Sequence, residues 1–308
     1  MAKGFHFFSV PVRPVLRNFF LASILLACLL GSIFKAEARE VTPFNNGWEF
    51  KKGPFPTDAM QTAARWNADW EQVNVPHTWN ADDMQKKTNS FYAGVAYYRK
   101  HYVFPESLEG KRLFLRFEGV GACAEVYVNG YLVGTHKGAY SAFVCEIGSQ
   151  VRLGEENEIV VKSDNVARPD VIPVNHALFG VYGGIYRPVW LIVTEPCNIV
   201  VNDCASPGVY ITQKNVSKQS ADVSVRVKLD NATLAPAALE LENAIYTREG
   251  KLVKVHRQFF ELTPQGVQNY VSDFKISHPH LWQGREDPYL YKVVSRLKQD
   301  GQVIDEVI

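Results

Sequence analysis

The sequence predicts an all-β protein built from two consecutive β-sandwiches, a jelly roll followed by an immunoglobulin-like sandwich. Short runs with a two-residue hydrophobic period recur along the chain, and no helical period is sustained after residue 38. Two-residue hairpin turns are indicated at Asn129-Gly130 and at Asp300-Gly301. Residues 194–207 form a seam rich in turn residues. We therefore expect one sandwich over residues 39–195 and a second over residues 196–308.

The first 38 residues have the order of a secretory signal peptide. Residues 1–18 carry basic residues and no acidic one, residues 19–34 are almost entirely apolar, and Ala36-Glu37-Ala38 supplies small residues before a cleavage point. The apolar run is shorter than the roughly 20 residues that a membrane-spanning helix needs. We expect cleavage near Ala38, export to the periplasm or the medium, and no membrane contact in the mature form. An uncleaved N-terminal anchor and a lipid anchor at Cys28 are the alternatives.

Residues 39–195 contain the first group of predicted strands. Apolar residues alternate over 113–117 and 126–128, the second run leads into the Asn129-Gly130 turn, and Ile159 and Val161 continue the pattern. The stretch Val181-Tyr182-Gly183-Gly184-Ile185-Tyr186-Arg187-Pro188 predicts a glycine turn before a closing strand over residues 185–193. Pro188 indicates an edge or an irregular start for that strand.

Residues 196–308 contain the second group. Apolar residues at 223, 225, 227 and 229 alternate with polar ones, as in a half-buried strand. Further strands are predicted at residues 239–247, 252–260, 267–276 and 289–297, and one more begins at Gln302. This density of short strands is typical of an immunoglobulin-like sandwich, here without the Cys–Trp–Cys framework.

Composition excludes several classes of function. The 33 basic and 32 acidic residues nearly balance, so no nucleic-acid partner is expected. No C-x-x-C spacing or nearby His pair occurs beside the four cysteines after the signal, so no metal site is expected, and their pairing is open. Neither a phosphate-binding loop, a dinucleotide fingerprint, G-x-S-x-G nor H-E-x-x-H occurs after the signal, and no cofactor is expected.

An aromatic and polar stretch over residues 66–98 favours carbohydrate binding. Aromatic rings pack on the C–H faces of sugars, and carboxylates or amides bond the hydroxyl groups. The segment Val75-Pro76-His77-Thr78-Trp79-Asn80 is typical of a loop that carries an aromatic residue. The alternative is that these rings belong to the core and edges of a sandwich. Asp82 and Asp83 are adjacent on an extended chain, would point opposite ways, and are not predicted as a catalytic pair.

In their order, these segments resemble the N-terminal half of glycoside hydrolase family 2, the family of β-galactosidases, β-glucuronidases and β-mannosidases. The matching pieces of the first sandwich include Trp48-Glu49-Phe50, Val73-Asn74-Val75-Pro76-His77-Thr78-Trp79, Gly94-Val95-Ala96-Tyr97-Tyr98-Arg99-Lys100, Val126-Tyr127-Val128-Asn129-Gly130 and Tyr182-Gly183-Gly184-Ile185-Tyr186-Arg187. Those of the second sandwich are Pro279-His280-Leu281-Trp282 and Pro288-Tyr289-Leu290-Tyr291.

The resemblance implies a jelly-roll sugar-binding domain, an immunoglobulin-like domain, and then a catalytic (β/α)8 barrel that is absent from this chain. The acid/base and nucleophilic glutamates of the family lie on that barrel, so no catalytic residue is assigned here. Since the retaining mechanism needs both carboxylates, we predict that residues 39–308 alone do not hydrolyse glycosides. The sequence leaves open whether the full-length enzyme forms a homo-oligomer.

The resemblance also points to the loop before the two glycines. In β-galactosidases of the family an acidic residue there helps to hold the sugar, but the matching position here is near Leu178, which accepts no hydrogen bond. The predicted substrate-binding residues are Trp79, Asn80, Asp83, Asn175 and His176. The resemblance thus implies an exported, β-galactosidase-like retaining enzyme of carbohydrate catabolism, with glucuronide, mannoside or another hexoside open. The alternative is a stand-alone carbohydrate-binding or adhesion module without hydrolase activity.

Overall fold

Antiparallel strands dominate the protein. The computed structural model describes residues 38–53, 69–83, 91–172 and 180–308. Within these ranges the only helices are two 3-10 turns, Glu106–Leu108 and Gly148–Gln150, so the predicted all-β class is confirmed. No helix among the described residues has the length and apolar content needed to cross a lipid bilayer.

The first sandwich pairs a four-stranded sheet with a six-stranded sheet. The four-stranded sheet has the order β1-β10-β5-β8, and the six-stranded sheet has the order β3-β2-β4-β9-β6-β7. The strands are β1 (Glu40–Pro43), β2 (Trp48–Lys52), β3 (Glu71–Val73), β4 (Val95–Val103), β5 (Arg112–Phe117), β6 (Cys123–Val128), β7 (Tyr131–Lys137), β8 (Phe143–Glu146), β9 (Glu156–Asp164) and β10 (Val189–Thr194).

Side chains from both sheets fill one core in this sandwich. Trp48 and Tyr98 from one sheet and Leu115 and Phe117 from the other are all fully buried in it. Phe114, on the outer face of β5, is buried as well, because it packs with Ile192 of β10 and with Val201. The outer face of the four-stranded sheet is therefore partly covered rather than exposed to water.

The closing strand begins later than the sequence predicts. It runs over Val189–Thr194 instead of residues 185–193. Proline has no N–H to donate to a ladder, and the regular pairing with β5 starts one residue after Pro188. Residues 181–187 instead form an irregular connection that holds the glycine turn, so the expectation of an irregular start is confirmed.

The second sandwich has two four-stranded sheets. In one, β13 pairs with β16 on one edge and with β11 and β12 on the other; the second sheet has the order β15-β14-β17-β18. The strands are β11 (Cys197–Ile199), β12 (Val209–Lys214), β13 (Ser220–Asn231), β14 (Ala237–Tyr246), β15 (Leu252–Leu262), β16 (Gly266–Ser277), β17 (Lys292–Gln299) and β18 (Gln302–Val307).

Both predicted hairpin turns are present. Asn129 and Gly130 join β6 to β7, Asp300 and Gly301 join β17 to β18, and all four residues have positive φ. Positive φ at both central residues belongs to the tight turn that matches the twist of paired strands. The strand predicted over residues 289–297 begins only at Lys292, because the residues before it form an irregular loop.

Ionic contacts join the two sandwiches, and the described residues from Ala38 onward belong to one compact unit. The guanidinium of Arg39, just before β1, donates to both carboxylate oxygens of Asp305 in β18, at 3.0 and 2.8 Å, and to the carbonyl of Ile199. The Asp305 side chain is fully buried. Arg112 similarly bridges Glu146 and Asp230 across the seam. Breaking such a contact would leave a buried charge without its partner.

A buried carboxylate, Glu242, lies among three cations on the outer side of β14. It accepts hydrogen bonds from Arg257 at 2.7 Å, Lys298 at 2.9 Å and Arg296 at 3.2 Å. Burial acts to raise its pKa, but the three hydrogen-bonded cations outweigh burial and lower the pKa of Glu242 to about 2. This carboxylate therefore stabilises the fold in its charged form.

The cysteine pairing that the sequence left open is resolved for the described residues. Cys123, Cys145, Cys197 and Cys204 are all free thiols. Burial raises the pKa of Cys145 to about 12. The second sandwich thus holds together without a disulfide framework.

Candidate functional site

Two buried asparagines, Asn80 and Asn165, bring several loops of the first sandwich together. Both side chains have no exposed surface. Their amides bond to backbone groups of two segments that are far apart in sequence, one around Tyr92 and Gly94 and the other around Val181 and Gly183. A buried amide that makes all its hydrogen bonds fixes the backbone it touches, because the alternative is an unpaired polar group.

Asn80 connects its own loop to the glycine turn. Its Oδ1 accepts hydrogen bonds from the Gly183 N–H at 2.8 Å and from Nδ2 of Asn165 at 3.3 Å. Its Nδ2 donates to the Asp83 carboxylate at 2.7 Å and to the Tyr92 carbonyl at 3.0 Å. The whole amide is therefore used inside the protein.

Asn165 extends this network from the end of β9. Its Nδ2 donates to the Val181 carbonyl at 2.8 Å, and its Oδ1 accepts from the Gly94 N–H at 2.8 Å. The neighbouring Ser163 hydroxyl donates to the Gly121 carbonyl and accepts from the Gly184 N–H. Sequence reasoning missed both residues, since a polar residue at a strand end carries no signal for partners so distant along the chain.

Trp79 lies beneath the glycine turn instead of on an open surface. Its side chain is 7% exposed, its ring stacks with Phe50 at 6.0 Å, and its Nε1 donates to the Tyr92 carbonyl. A Cβ on Gly183 would overlap the indole ring. Gly184 has φ +111° and lies against the Tyr98 hydroxyl, so both positions require glycine. Close packing on Trp79 therefore explains Gly183, and the positive φ together with the contact to Tyr98 explains Gly184.

His77 and Tyr98 support the same turn from below. The Tyr98 hydroxyl lies 2.7 Å from Nδ1 of His77 and donates to the His77 carbonyl at 3.2 Å. Burial lowers the pKa of His77, and burial raises the pKa of Tyr98. Both groups are therefore uncharged at neutral pH, which suits a supporting role beneath the loops.

Two aromatic side chains beside this network lie at the surface. Tyr182, next to Gly183, is 41% exposed, and its ring meets that of the half-buried Phe91 edge-on at 6.4 Å. The hydrogen bond from the Gly183 N–H to Asn80 fixes the backbone next to Tyr182. Aromatic faces held in this way can pack against the apolar face of a sugar. Both residues lie in stretches that the sequence indicated as important, Phe91 within residues 66–98 and Tyr182 just before the glycine turn. Neither was among the predicted binding residues.

The predicted site residues thus divide into two groups. Trp79, Asn80 and Asp83 come together, with Trp79 and Asn80 buried and one Asp83 oxygen bonded to Asn80 and to the Tyr92 N–H. Asn175 and His176 lie outside the described residues. Direct sugar contact by any of the five stays a prediction. No group of three or more His, Cys, Asp or Glu side chains suited to a metal ion occurs in the described ranges.

The chain matches two family models in series. Residues 42–196 match the model "Glycosyl hydrolases family 2, sugar binding domain", and residues 207–307 match "Glycosyl hydrolases family 2". The Beta-glucuronidase of Bacteroides fragilis is 36% identical over 92% of this chain and 39% of its own length. The Beta-galactosidase of Thermoanaerobacter pseudethanolicus is 29% identical over 87% of this chain and 34% of its own.

Solved structures show the same relation. A Bacteroides fragilis protein provisionally named a beta-galactosidase has a TM-score of 0.84 and 70% identity, over 88% of this chain and 40% of that one. Bacteroides uniformis beta-glucuronidase 2, covalently bound to cyclophellitol-6-carboxylate aziridine, has a TM-score of 0.81 and 29% identity, over 87% of this chain and 32% of that one. The chain spans two fifths or less of these relatives, and it belongs to glycoside hydrolase family 2.

Proposed function

We propose that this chain is the N-terminal, non-catalytic portion of an exported retaining glycoside hydrolase that acts on β-glycosides. The observation that carries the proposal is the coverage: both sandwiches match the family, but the chain spans only 39% of the β-glucuronidase it resembles. The catalytic carboxylates would lie in the remaining part. The signal-like order of residues 1–38 supports export.

In this proposal the first sandwich shapes the rim of the sugar site. The Asn80 and Asn165 amides hold the glycine turn, and the turn presents Tyr182 beside Phe91. Asn175 and His176, a few residues earlier on the same connection, would supply polar contacts to sugar hydroxyls. Trp79 and Asp83 would contribute through the loop they stabilise.

The substrate class is a β-glucuronide or a β-galactoside, the two sugars in the names of the relatives. The position that is acidic in β-galactosidases of the family falls near Leu178 here, which weakens the case for a galactoside and leaves the glucuronide open. A glucuronide differs from a galactoside by a carboxylate, so the two are separable by direct assay. Nitrophenyl β-glucuronide and β-galactoside, offered to the full-length gene product, should distinguish them by their kcat/KM values.

Whether the two sandwiches lack catalytic activity is tested with the same substrates and residues 39–308 alone. We expect no turnover above the buffer rate, because a retaining mechanism requires two carboxylates about 5 Å apart. Measurable hydrolysis by residues 39–308 would refute the proposal. Calorimetric titration with the same sugars addresses the binding-module alternative: sugar affinity of the isolated chain that disappears in Tyr182→Ala would favour that alternative over the enzyme portion.

A further inference from the structure

The second sandwich has a polar groove on the outer face of one of its sheets. This groove, here called the β13 groove, has a volume of about 610 Å³ and crosses β12, β13 and β16. Along β13 buried residues alternate with half-buried ones, so the half-buried side chains point away from the core. Cross-strand partners share a face of the sheet. The strand register therefore places three rows of side chains on this outer face: Lys214, Asp222 and Lys275; Thr212, Ser224 and Asp273; and Tyr210, Arg226 and Val271.

The cations of the β13 groove have no anionic partner within the described part of the chain. Lys214, Arg226 and Lys275 line the groove, and none of the three forms an ion pair with a described residue. Asp222 and Asp273 are its other charged lining residues, so three cations and two carboxylates give a formal charge of +1. A surface of this kind favours a ligand with a few negative charges over a densely charged one.

Arg226 is held in place by two contacts on the outer face. Its Nη1 donates a hydrogen bond to Oδ1 of Asn269 at 3.1 Å, and its guanidinium lies 4.3 Å from the centroid of the Tyr210 ring. Its other N–H groups have no hydrogen-bond partner among the described residues. A guanidinium presents N–H groups in a fixed fork that matches a carboxylate. Arg226 is therefore preorganised to bind an anionic group of this shape.

The middle row of the groove supplies groups that can bond to hydroxyls. The hydroxyls of Thr212 and Ser224 lie beside the carboxylate of Asp273, and none of the three side chains is hydrogen-bonded to a described residue. A hydroxyl both donates and accepts, and a carboxylate accepts, so the row can pair with the hydroxyl groups of a sugar.

We propose that the β13 groove binds an acidic oligosaccharide, with uronate carboxylates at the cations and sugar hydroxyls at the middle row. The row of Lys214 and the row of Arg226 are about 14 Å apart along β13, since residues on a strand are about 3.4 Å apart. Phosphates on one strand of a nucleic acid follow one another at about 3.4 Å of rise, and Asp222 and Asp273 would repel those between the rows. Carboxylates on alternate sugars are more widely spaced. This binding does not depend on the proposed function, because it requires no hydrolysis.

Calorimetric titration of residues 39–308 with a hyaluronan hexasaccharide tests the proposal, because this ligand has a glucuronate at every second sugar. We expect saturable binding that is about tenfold weaker in Arg226→Ala, since the lost hydrogen bonds are charge-assisted. Lys275→Glu, at an exposed position, should also weaken binding and does not depend on the contacts of Arg226. Arg285→Ala is the matched control, because it removes an exposed arginine outside the groove, and it should bind like the parent. A chitin hexasaccharide has the same length without carboxylates and should bind far more weakly.

Several results would overturn the proposal. Absence of binding at millimolar hexasaccharide would do so, as would equal weakening in Arg226→Ala and Arg285→Ala, which would indicate general attraction to a cationic surface. Equal or tighter binding of the chitin hexasaccharide, or of a polyphosphate, would assign the groove to a different ligand. Loss of binding in Tyr182→Ala but not in Arg226→Ala would place the sugar on the first sandwich. A dimer that Lys275→Glu dissociates would assign the groove to a second copy of the chain.

Discussion

Replacing Asn80 with alanine should destabilise the first sandwich by about 2–4 kcal/mol. The change removes hydrogen bonds to the Gly183 N–H, the Asp83 carboxylate and the Tyr92 carbonyl. Each such bond has a net value of about 1 kcal/mol, and a buried N–H left without a partner costs about 1–3 kcal/mol more. Because the site is fully buried, water cannot readily replace the lost partner.

The assay is thermal and urea unfolding of residues 39–308, with hydrogen exchange at the Gly183 amide. At this chain length, 1 kcal/mol moves the unfolding midpoint by about 2–4 °C, and the exchange rate at Gly183 should rise. Gln72→Ala is the matched control, since its exposed amide also bonds a carboxylate, that of Glu49, and it should stay within about 0.5 kcal/mol of the parent. If Asn80→Ala behaved like Gln72→Ala, the assigned role of the network would be wrong.

A second variant at the same position separates the loss of hydrogen bonds from the loss of side-chain volume. Asn80→Asp has nearly the same shape but places a second carboxyl next to Asp83. Burial and the like charge should raise the pKa of the new carboxyl, so the variant should be least stable at neutral pH and recover as the pH falls and one carboxyl is protonated. A stability loss that does not depend on pH would contradict this explanation.

Three further predictions concern other parts of the fold. Gly183→Ala should cost about 1–3 kcal/mol in unfolding experiments because its Cβ overlaps Trp79, and the Trp79→Ala background should reduce that cost. Arg39→Met should cost about 3–5 kcal/mol by leaving Asp305 buried without its cation, and Arg39→Met combined with Asp305→Leu should cost less, as a double-mutant cycle would show. Glu242 has a folded pKa near 2, below its unfolded value, so its stabilisation is present above pH 4.5 and is lost as the pH falls toward 2. Glu242→Gln should therefore remove about 1–2 kcal/mol at pH 7 and flatten the acid limb of the stability profile; an unchanged profile would show that the cluster contributes nothing.

Features with local causes were predictable from the sequence. The hairpins at Asn129-Gly130 and Asp300-Gly301 depend on residues that tolerate positive φ, and both turns formed where the dipeptides stand. The alternation over residues 223–229 predicted one buried face, and β13 has that face. Both signals depend on neighbouring residues alone, so one sequence is enough to read them.

Which residues form the candidate site depended on contacts between residues that are distant in sequence. Trp79 and Asn80 were predicted as a sugar-contacting loop, but the structure places them under Gly183, which is 103 residues from Asn80. Asn165 had no local signal at all, although its amide joins the segments at Gly94 and Val181, which are distant in sequence.

The sequence by itself thus determined the strand pattern, the two tight turns and the family resemblance, because each follows from short-range conformational preference or from ordered motifs. Only the tertiary structure decided that Trp79 packs inward while Tyr182 faces outward. The physical reason is steric: Gly183 has no side chain, so the Trp79 indole occupies that space, whereas the ring of the preceding residue, Tyr182, is 41% exposed.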